Sequence, residues 1–298
     1  MYDIIIIGCG PAGMTAALYA SRANKKVLVF EGKSYGGQIL NASKVENYPG
    51  FDNISGFDLA TNMYNQITTK GVEIKNEMVL KITKDKEVIT SNGTYQAKAI
   101  ILATGVQHRK LNITNETEYI GRGVSYCATC DGNFFRNKDV AVVGGGNTAL
   151  EDALYLSNIV NKVYLIHRRD EFRGEDIYLD ELKNKSNVEI ITNSEITHIN
   201  GQEIIKSIDV HTTTGENDMS KIIPISGLFV AVGQEPKNEI FADIIELDEK
   251  GYIKTNDGIH TNVEGIYVAG DCRNKPLRQL TTAVSDGSIA ATIAIKEM

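Results

Sequence analysis

The sequence predicts an α/β protein with three-layered, parallel-sheet domains, and three observations lead there. A glycine-rich turn, Gly8-Cys9-Gly10-Pro11-Ala12-Gly13, lies between a β-branched run and an alanine-rich stretch. A second turn of the same kind, Gly144-Gly145-Gly146-Asn147-Thr148-Ala149, recurs in the same setting far downstream. Three further apolar runs end at glycine: 99–102 leads into Ala103-Thr104-Gly105, 227–230 into Ala231-Val232-Gly233, and 265–268 into Ala269-Gly270-Asp271. Near-continuous apolar runs mark strands whose two faces are both covered, as in parallel sheets.

Taken in order, Asp3 to Ile7 reads as the first strand. Pro11 falls in the first turn of the following helix, where its missing N–H is harmless. Residues 14–23 are rich in alanine and leucine, which favour helix. Val27 to Phe30 is the next strand and ends at Glu31. Residues 81–94 alternate and contain Asn92-Gly93, a hairpin signal, so they predict a small antiparallel sheet; residues 203–215 have a similar character. The opening plan then returns: strand 139–143, glycine turn, helix 147–156, strand 163–166. This is duplication at the scale of a domain, not of a short repeat. The run 265–268 has no glycine fingerprint of its own and needs a host sheet, for which the first domain is the natural choice. The expectation is two Rossmann-like dinucleotide-binding domains, the second inserted into the first. Residues 1–110 and 237–298 form the discontinuous domain, and 111–236 the insert. The polar segments 105–110 and 233–238 are then the crossings and the candidate hinges.

Charge and composition narrow the partners. There are 31 Lys and Arg against 38 Asp and Glu, a net charge of −7, and no dense cationic tract, which argues against nucleic acid. With 42% hydrophobic and 23% charged residues the composition is that of an ordinary globular protein. No stretch is apolar and long enough to span a bilayer, and no basic leader precedes the first strand, so a cytoplasmic protein without a membrane partner is expected. Four cysteines in such a chain do not read as a structural disulfide framework.

The first fingerprint has a definite physics. Gly8 permits a tight turn, Gly10 lets the backbone approach a pyrophosphate, and Gly13 lets the helix pack closely on the strand, with Pro11 and Ala12 in its first turn. Glu31 stands about 20 residues further on, at the end of the second strand, where an acid binds an adenosine ribose and repels a 2′-phosphate. FAD or NAD therefore fits this site better than NADP. Asp271, following Gly270 at another strand end, reads by itself as a turn residue; together with the first fingerprint it is a candidate to hold a ribityl and phosphate region. In the second fingerprint Gly144, Gly145, Gly146, Asn147 and Thr148 lead to Ala149, the permitted small third residue. The strand after it ends in His167-Arg168-Arg169, followed by Arg173. Guanidinium groups match phosphate oxygens in charge and geometry, so NADP(H) is the expected cofactor there. Between the two fingerprints lies Cys127-Ala128-Thr129-Cys130, followed by Asp131. Such a pair suits thiol–disulfide exchange with the carboxyl moving a proton. A zinc half-site would need a second ligand pair, and Cys9 and Cys272 lie within other motifs while the histidines are scattered, so no metal is expected.

In these residues, and in Gly36-Gly37-Gln38, Glu46-Asn47-Tyr48-Pro49-Gly50, Gly121-Arg122-Gly123-Val124-Ser125 and Arg278-Gln279, the chain resembles the low-molecular-weight, bacterial-type thioredoxin reductases over nearly its whole length. The resemblance implies FAD in the first domain, held by Gly8, Gly10, Pro11, Ala12, Gly13, Glu31, Gly37, Gln38, Asn47, Ala103, Thr104, Gly105, Gly270, Asp271, Arg278 and Gln279. It implies NADPH in the second, held by Gly145, Gly146, Asn147, Thr148, His167, Arg168, Arg169 and Arg173. Electrons would pass from NADPH to FAD, to the Cys127–Cys130 disulfide and on to oxidised thioredoxin or a thioredoxin-like protein. Cys130 would face the flavin, Cys127 would attack the partner's disulfide, and Asp131 would be the acid–base. Family members are homodimers whose domains alternate between two orientations, and a helix starting near Leu280 would aim its positive end at the flavin. Two positions depart from the pattern. Gly174 stands where alanine is usual. Asn133 stands where an aromatic is frequent, next to Phe134; the family's docking surface includes the places of Arg122 and Phe134, so the partner is less fixed than the chemistry. A glutathione-reductase-type arrangement would put redox cysteines after the second strand, where this chain has Ser34-Tyr35-Gly36-Gly37-Gln38. From another class, a nucleotide sensor without turnover would not consume NADPH steadily.

Overall fold

The computed structural model describes residues 1–42, 44–214 and 217–298. The chain forms two compact units, one of Met1–Gln107 with Glu235–Met298 and one of His108–Gln234. The fold is α/β with two Rossmann-like domains, the second inserted into the first.

The first unit begins with β1 (Tyr2–Ile7), α1 (Pro11–Arg22), β2 (Val27–Phe30), α2 (Gly56–Thr68), β3 (Glu73–Lys75), β4 (Val79–Ile82), β5 (Glu87–Thr90), β6 (Gly93–Leu102) and the two-residue β7 (Gln107–His108), which ends on the first residue of the insert. The insert holds β8 (Val124–Ser125), α3 (Ala128–Asp131), β9 (Asp139–Val143), α4 (Asn147–Ser157), β10 (Lys162–Ile166), α5 (Asp176–Lys183), β11 (Val188–Ile191), β12 (Ser194–Gly201), β13 (Ile205–Thr214), β14 (Asn217–Pro224), β15 (Gly227–Val230) and β16 (Gln234–Glu235), whose last residue returns to the first unit. The chain then adds β17 (Ile266–Val268) and α6 (Leu280–Glu297) to the first unit.

In the first unit the sheet runs β3-β2-β1-β6-β5-β4, with β17 also on β6. β1 is flanked in parallel by β2 and β6, and β17 pairs in parallel with β6, Ile266 opposite Ile100. β6 does two jobs along its length. Its first residues pair antiparallel with β5, Thr90 opposite Gly93, and its apolar second half joins the parallel core. The hairpin expected near Asn92-Gly93 is therefore present, with β4 as its third strand. Ile4 to Ile6, Val27 to Phe30 and Ile100 to Leu102 are essentially inaccessible to water, which explains why these runs do not alternate.

Helices α1 and α6 pack against one another over one face of this sheet, lined by Ala12, Ala16, Ala17 and Ala20 on one side and Ala283, Ala290, Ala291 and Ala294 on the other. Small residues let the two backbones close in. At Gly287 a Cβ would lie 2.2 Å from the carbonyl oxygen of Ala12.

In the insert, β11-β10-β9-β15-β8 form an all-parallel sheet, and β12-β13-β14 an antiparallel one. The antiparallel sheet takes in the segment expected to resemble 81–94, whose residue 215 lies outside the described residues. Phe135 sits edge-on to Phe229, and Leu150, Ala153 and Leu156 of α4 bury against β9 and β10. Each unit thus closes its core by itself. Gly105 and Gly233, on the two crossings, hold left-handed backbone with φ +66° and +118°.

The α1–α6 contact sets a clear test. Alanine in place of a mid-helix glycine would ordinarily favour the helix by about 1 kcal/mol. At position 287 the approach to Ala12 outweighs that gain, so Gly287→Ala is expected to lower the urea midpoint of unfolding. An unchanged or raised midpoint would show that the two helices are free to separate.

Candidate active site

Strand β8 ends at Ser125 on the rim of the second sheet, and the chain turns at once into α3. Cys127 is the extended residue before that helix, with φ −147°, and Cys130 sits one turn on. The two sulfurs are joined in a disulfide whose Cα atoms are 5.3 Å apart. Ala128 between them is buried and anchors the turn, while Thr129 is exposed with its Oγ1 3.5 Å from Cys127 Sγ. Asp131 completes the segment. Its backbone N–H donates to the Cys127 carbonyl at 3.1 Å. Its Oδ2 accepts the Ser125 hydroxyl at 2.6 Å, and its Oδ1 is buried with no hydrogen-bond partner. Burial raises the affinity of this carboxyl for a proton, and the Ser125 hydrogen bond opposes the rise without cancelling it. A carboxyl kept readier than usual to hold a proton, directly after Cys130 in the chain, is suited to acid–base work.

The dithiol segment is backed by a polar staple that sequence reading missed. Tyr126 donates its hydroxyl to Glu116 Oε1 at 2.8 Å. Glu116 is only 2% exposed and also accepts the backbone N–H groups of Leu111 and Asn112, both at 3.1 Å. The His108 ring stacks on Tyr126 with centroids 5.0 Å apart, and burial lowers the His108 pKa to about 4, so it is neutral at pH 7. Glutamate in a polar sequence context gives no signal that it will be buried; only the tertiary contacts disclose it.

At the first glycine turn the geometry matches what a dinucleotide needs. A Cβ at Gly8 would lie 2.3 Å from the Ala103 carbonyl oxygen, and one at Gly13 only 1.9 Å from that of Gly8. Gly10 by contrast faces open space. It precedes α1, whose N-terminus has no side-chain cap, so its first N–H groups suit an anion. Glu31 lies directly after β2 and grips the turn, accepting the Cys9 N–H at 2.9 Å and the Lys33 N–H at 2.9 Å. A carboxylate has further lone pairs to offer a ribose. Gly37 holds φ +60° beside Gly10, and Gln38 donates to the Val106 carbonyl at 2.8 Å. Asn47 donates to Gln279 Oε1 at 3.2 Å, and Gln279 caps α6 together with Thr282. Thr104 donates to Asn238, whose amide donates in turn to the Gly251 and Cys272 carbonyls. Gly270 has φ +81°, and Arg278 donates to the carbonyls of Asp271 and Arg273 while covering the Tyr252 ring.

Around Asp271 the structure holds a charge cluster that the sequence does not announce. Asp286, in the small-residue helix α6, accepts the Gly270 N–H at 3.0 Å, two guanidinium hydrogen bonds from Arg273 and one from Lys275 at 3.0 Å. The Lys275 side chain is 3% exposed, and its Nζ also lies 3.4 Å from Asp271 Oδ1, which has no hydrogen-bond partner of its own. Burial pushes the Asp286 carboxyl up, but the hydrogen bonds from Arg273 and Lys275 outweigh it and hold the group below the usual carboxylate range. Burial raises Asp271 despite Lys275. The orphaned Asp271 oxygen and the open face of Gly10 fit a flavin dinucleotide with hydroxyl donors.

The second turn repeats the plan. A Cβ at Gly144 would lie 2.3 Å from the Ala231 carbonyl oxygen, whereas Gly146 faces open space ahead of α4, which again has no side-chain cap. His167 is buried. Its ring lies where a Cβ of Gly145 would be and rests on Phe172, and burial lowers its pKa, so it supports the turn from beneath. Arg168, Arg169 and Arg173 are exposed and in no ion pair among the described residues. The N–H groups of Arg173 and Gly174 both donate to the Gly145 carbonyl, and Asn147 exchanges two hydrogen bonds with Glu175, so this loop is laced onto the turn. Thr148 is exposed in the first turn of α4.

Two glycine-cradled helix N-termini and a disulfide with an adjacent protonatable carboxyl define a nucleotide-dependent oxidoreductase acting on disulfides. The family model described as pyridine nucleotide-disulphide oxidoreductase matches residues 2–287, and the chain belongs to that family. It is 44% identical to the thioredoxin reductase of Listeria monocytogenes, over 99% of this chain and 93% of that protein. It is 43% identical to the bifunctional thioredoxin reductase/thioredoxin of Mycobacterium leprae, over 98% of this chain but only 64% of that longer protein. The crystal structure of thioredoxin reductase from Streptococcus pyogenes superposes with a TM-score of 0.95 at 42% identity, covering 100% of this chain and 98% of that one.

The buried charge cluster should be measurable. Because the Asp286 pKa is lowered in the fold, its contribution to stability is present above the unfolded carboxylate range and is lost as pH falls below that range and through the lower folded-state value. Asp286→Ala leaves Arg273 without its carboxylate and Lys275 with only Asp271, and is expected to cost about 3–5 kcal/mol near neutral pH, with the difference from the unsubstituted protein shrinking on acidification. Urea unfolding at several pH values reads both quantities; a loss that is independent of pH would point to packing instead of charge.

Proposed function

We propose that the protein is an NADPH-dependent thioredoxin-disulfide reductase, with FAD held in the first unit and NADPH in the second. The observation that carries this reading is the Cys127–Cys130 disulfide with the Asp131 carboxyl beside it. Opposite charge at equivalent places supports the cofactor assignment: Glu31 follows β2, and exposed arginines follow β10. Flavin, when bound by Gly8, Gly10, Gly13, Glu31, Asp271 and their neighbours, supplies the electron transfer between nicotinamide and disulfide. The partner is inferred from relatives named thioredoxin reductase, one of which is named as carrying a thioredoxin as well.

The chain's own residues then act as follows. With the pair reduced, Cys127 gives its proton to the Asp131 carboxylate and its Sγ attacks one sulfur of the partner's disulfide; that S–S bond breaks, and the departing sulfur takes the proton from Asp131. Cys130 then gives its proton to Asp131 and attacks Cys127 Sγ; the mixed disulfide breaks, the Cys127–Cys130 bond re-forms, and the partner's second sulfur takes that proton from Asp131. One disulfide and two thiols enter, and one disulfide and two thiols leave. We infer a cytoplasmic homodimer from the resemblance that the sequence motifs carry; no helix among the described residues is long and apolar enough to cross a membrane.

Two experiments test the reading. Cys127→Ser is expected to abolish NADPH oxidation coupled to thioredoxin while NADPH still bleaches the flavin absorbance; retained turnover would remove Cys127 from the attacking role. Arg168→Ala combined with Arg169→Ala is expected to reduce kcat/KM for NADPH by tenfold or more, on the order of 1.4 kcal/mol or above, and to leave NADH little changed. Equal effects on the two nucleotides would overturn the 2′-phosphate assignment.

A further inference from the structure

The geometry points to Ser125 as a positioning residue that fixes which oxygen of Asp131 carries the transferred proton, and thereby ties the acid–base group to the attacking cysteine. This deepens the reductase reading and rests on it.

Ser125 is 5% exposed at the end of β8, where the register with β15 sets its direction, Phe229 opposite Ser125. A serine hydroxyl has one proton and two lone pairs. Its proton has two acceptors in reach, Asp131 Oδ2 at 2.6 Å and the Cys127 carbonyl at 3.3 Å. The short contact to the carboxyl is the stronger, because a charged acceptor shortens and strengthens the bond. The lone pairs meanwhile accept the Cys127 N–H at 3.1 Å. One hydroxyl therefore bonds to the backbone of the cysteine and to the carboxyl at once. Oδ2 is occupied, so the proton that Asp131 gives and receives resides on Oδ1, the oxygen with no partner.

Besides the Cys127 and Cys130 thiols, which exchange protons with this carboxyl in the reaction, no titratable group hydrogen-bonds to it among the described residues. Tyr126, the neighbour on the same chain segment, is committed to Glu116. Helix α4, packed on α3, carries Glu151, Asp152 and Tyr155, and the Tyr155 ring abuts Gly132. Asp152 is pushed up to about 7 by burial and by Glu151, and is largely neutral below that pH. β15 brings no titratable group. Asp131 makes its side-chain hydrogen bond with Ser125 alone among the described residues. Removing the hydroxyl takes away the interaction that favours the carboxylate and leaves the burial that disfavours it.

The test uses flavin-loaded protein. Ser125→Ala is expected to move the alkaline limb of thioredoxin-coupled turnover to higher pH by roughly one unit, because a hydrogen bond to a charged group is lost. Ser125→Thr keeps a hydroxyl and is expected to keep the original limb. A second readout needs no turnover: the infrared carboxyl stretch of Asp131 in the reduced protein, assigned by its loss in Asp131→Asn, should titrate at higher pH in Ser125→Ala and not in Ser125→Thr. If Ser125→Ala does not fold, Ser125→Gly is read by the same band. An Asp131 band that titrates alike with and without the hydroxyl overturns the proposal even if the reductase activity stands. Full turnover in Asp131→Asn would instead sink the acid–base role of Asp131, a result the infrared titration distinguishes from failure at Ser125.

Discussion

The carbonyl oxygen of Gly8 lies 1.9 Å from where a Cβ of Gly13 would stand, and the site end of the first sheet depends on no side chain being there. Helix α1 can start only where β1 stops because these two backbones touch. That contact aims the uncapped N–H groups of α1 outward past Gly10, and it brings α1 within reach of α6 through Ala12 and Gly287. The same constraint operates at Gly144, whose backbone meets Ala231 and Ala149. Each unit is therefore built around a close approach that fixes a positive helix end at the C-terminal edge of a parallel sheet, the usual location of ligands in open α/β folds.

Charge is then distributed in opposite ways around two similar scaffolds. In the first unit an acid follows the second strand, and buried cations are neutralised internally, Lys275 and Arg273 by Asp286. In the second unit the arginines stay on the surface and His167 alone turns inward. A cation already paired in the interior is unavailable to a ligand, whereas exposed guanidinium groups are free to meet phosphate. The dithiol sits in the unit with the exposed arginines, at the edge of its sheet, where a strand of only two residues lets the chain leave β8 and form α3 at once. Edge position gives Thr129 to solvent and keeps Asp131 half-sheltered, and this partial shelter raises the affinity of its carboxyl for a proton.

Much of this was legible because it is local. Strands 3–7, 27–30, 139–143 and 163–166 follow from continuous apolar runs, and both turns follow from glycine spacing. The hairpin at 92–93 follows from its dipeptide. What the sequence left open involves groups whose partners are distant along the chain. Glu116 is buried because Tyr126 and two backbone N–H groups converge on it; Asn238 because it joins Thr104 to Cys272; Asp286 because Arg273 and Lys275 arrive from the preceding loop. Each is a polar residue in an unremarkable context, and composition gives no warning of burial. His167 shows the converse: grouped with arginines in the sequence, it is buried because its ring fills the space beside Gly145 and hydrogen-bonds to the Glu171 carbonyl.

The sequence by itself determined the two glycine-turn scaffolds, the dithiol and the sign of charge beside each turn, since these depend on residue type at fixed short spacing. Tertiary structure alone decided which polar groups are buried, and that Ser125 shares one hydroxyl between Cys127 and Asp131. The physical reason is that proton affinity and hydrogen-bond direction depend on what surrounds a group in space, and the neighbours that bury it come from strands and helices far away along the chain.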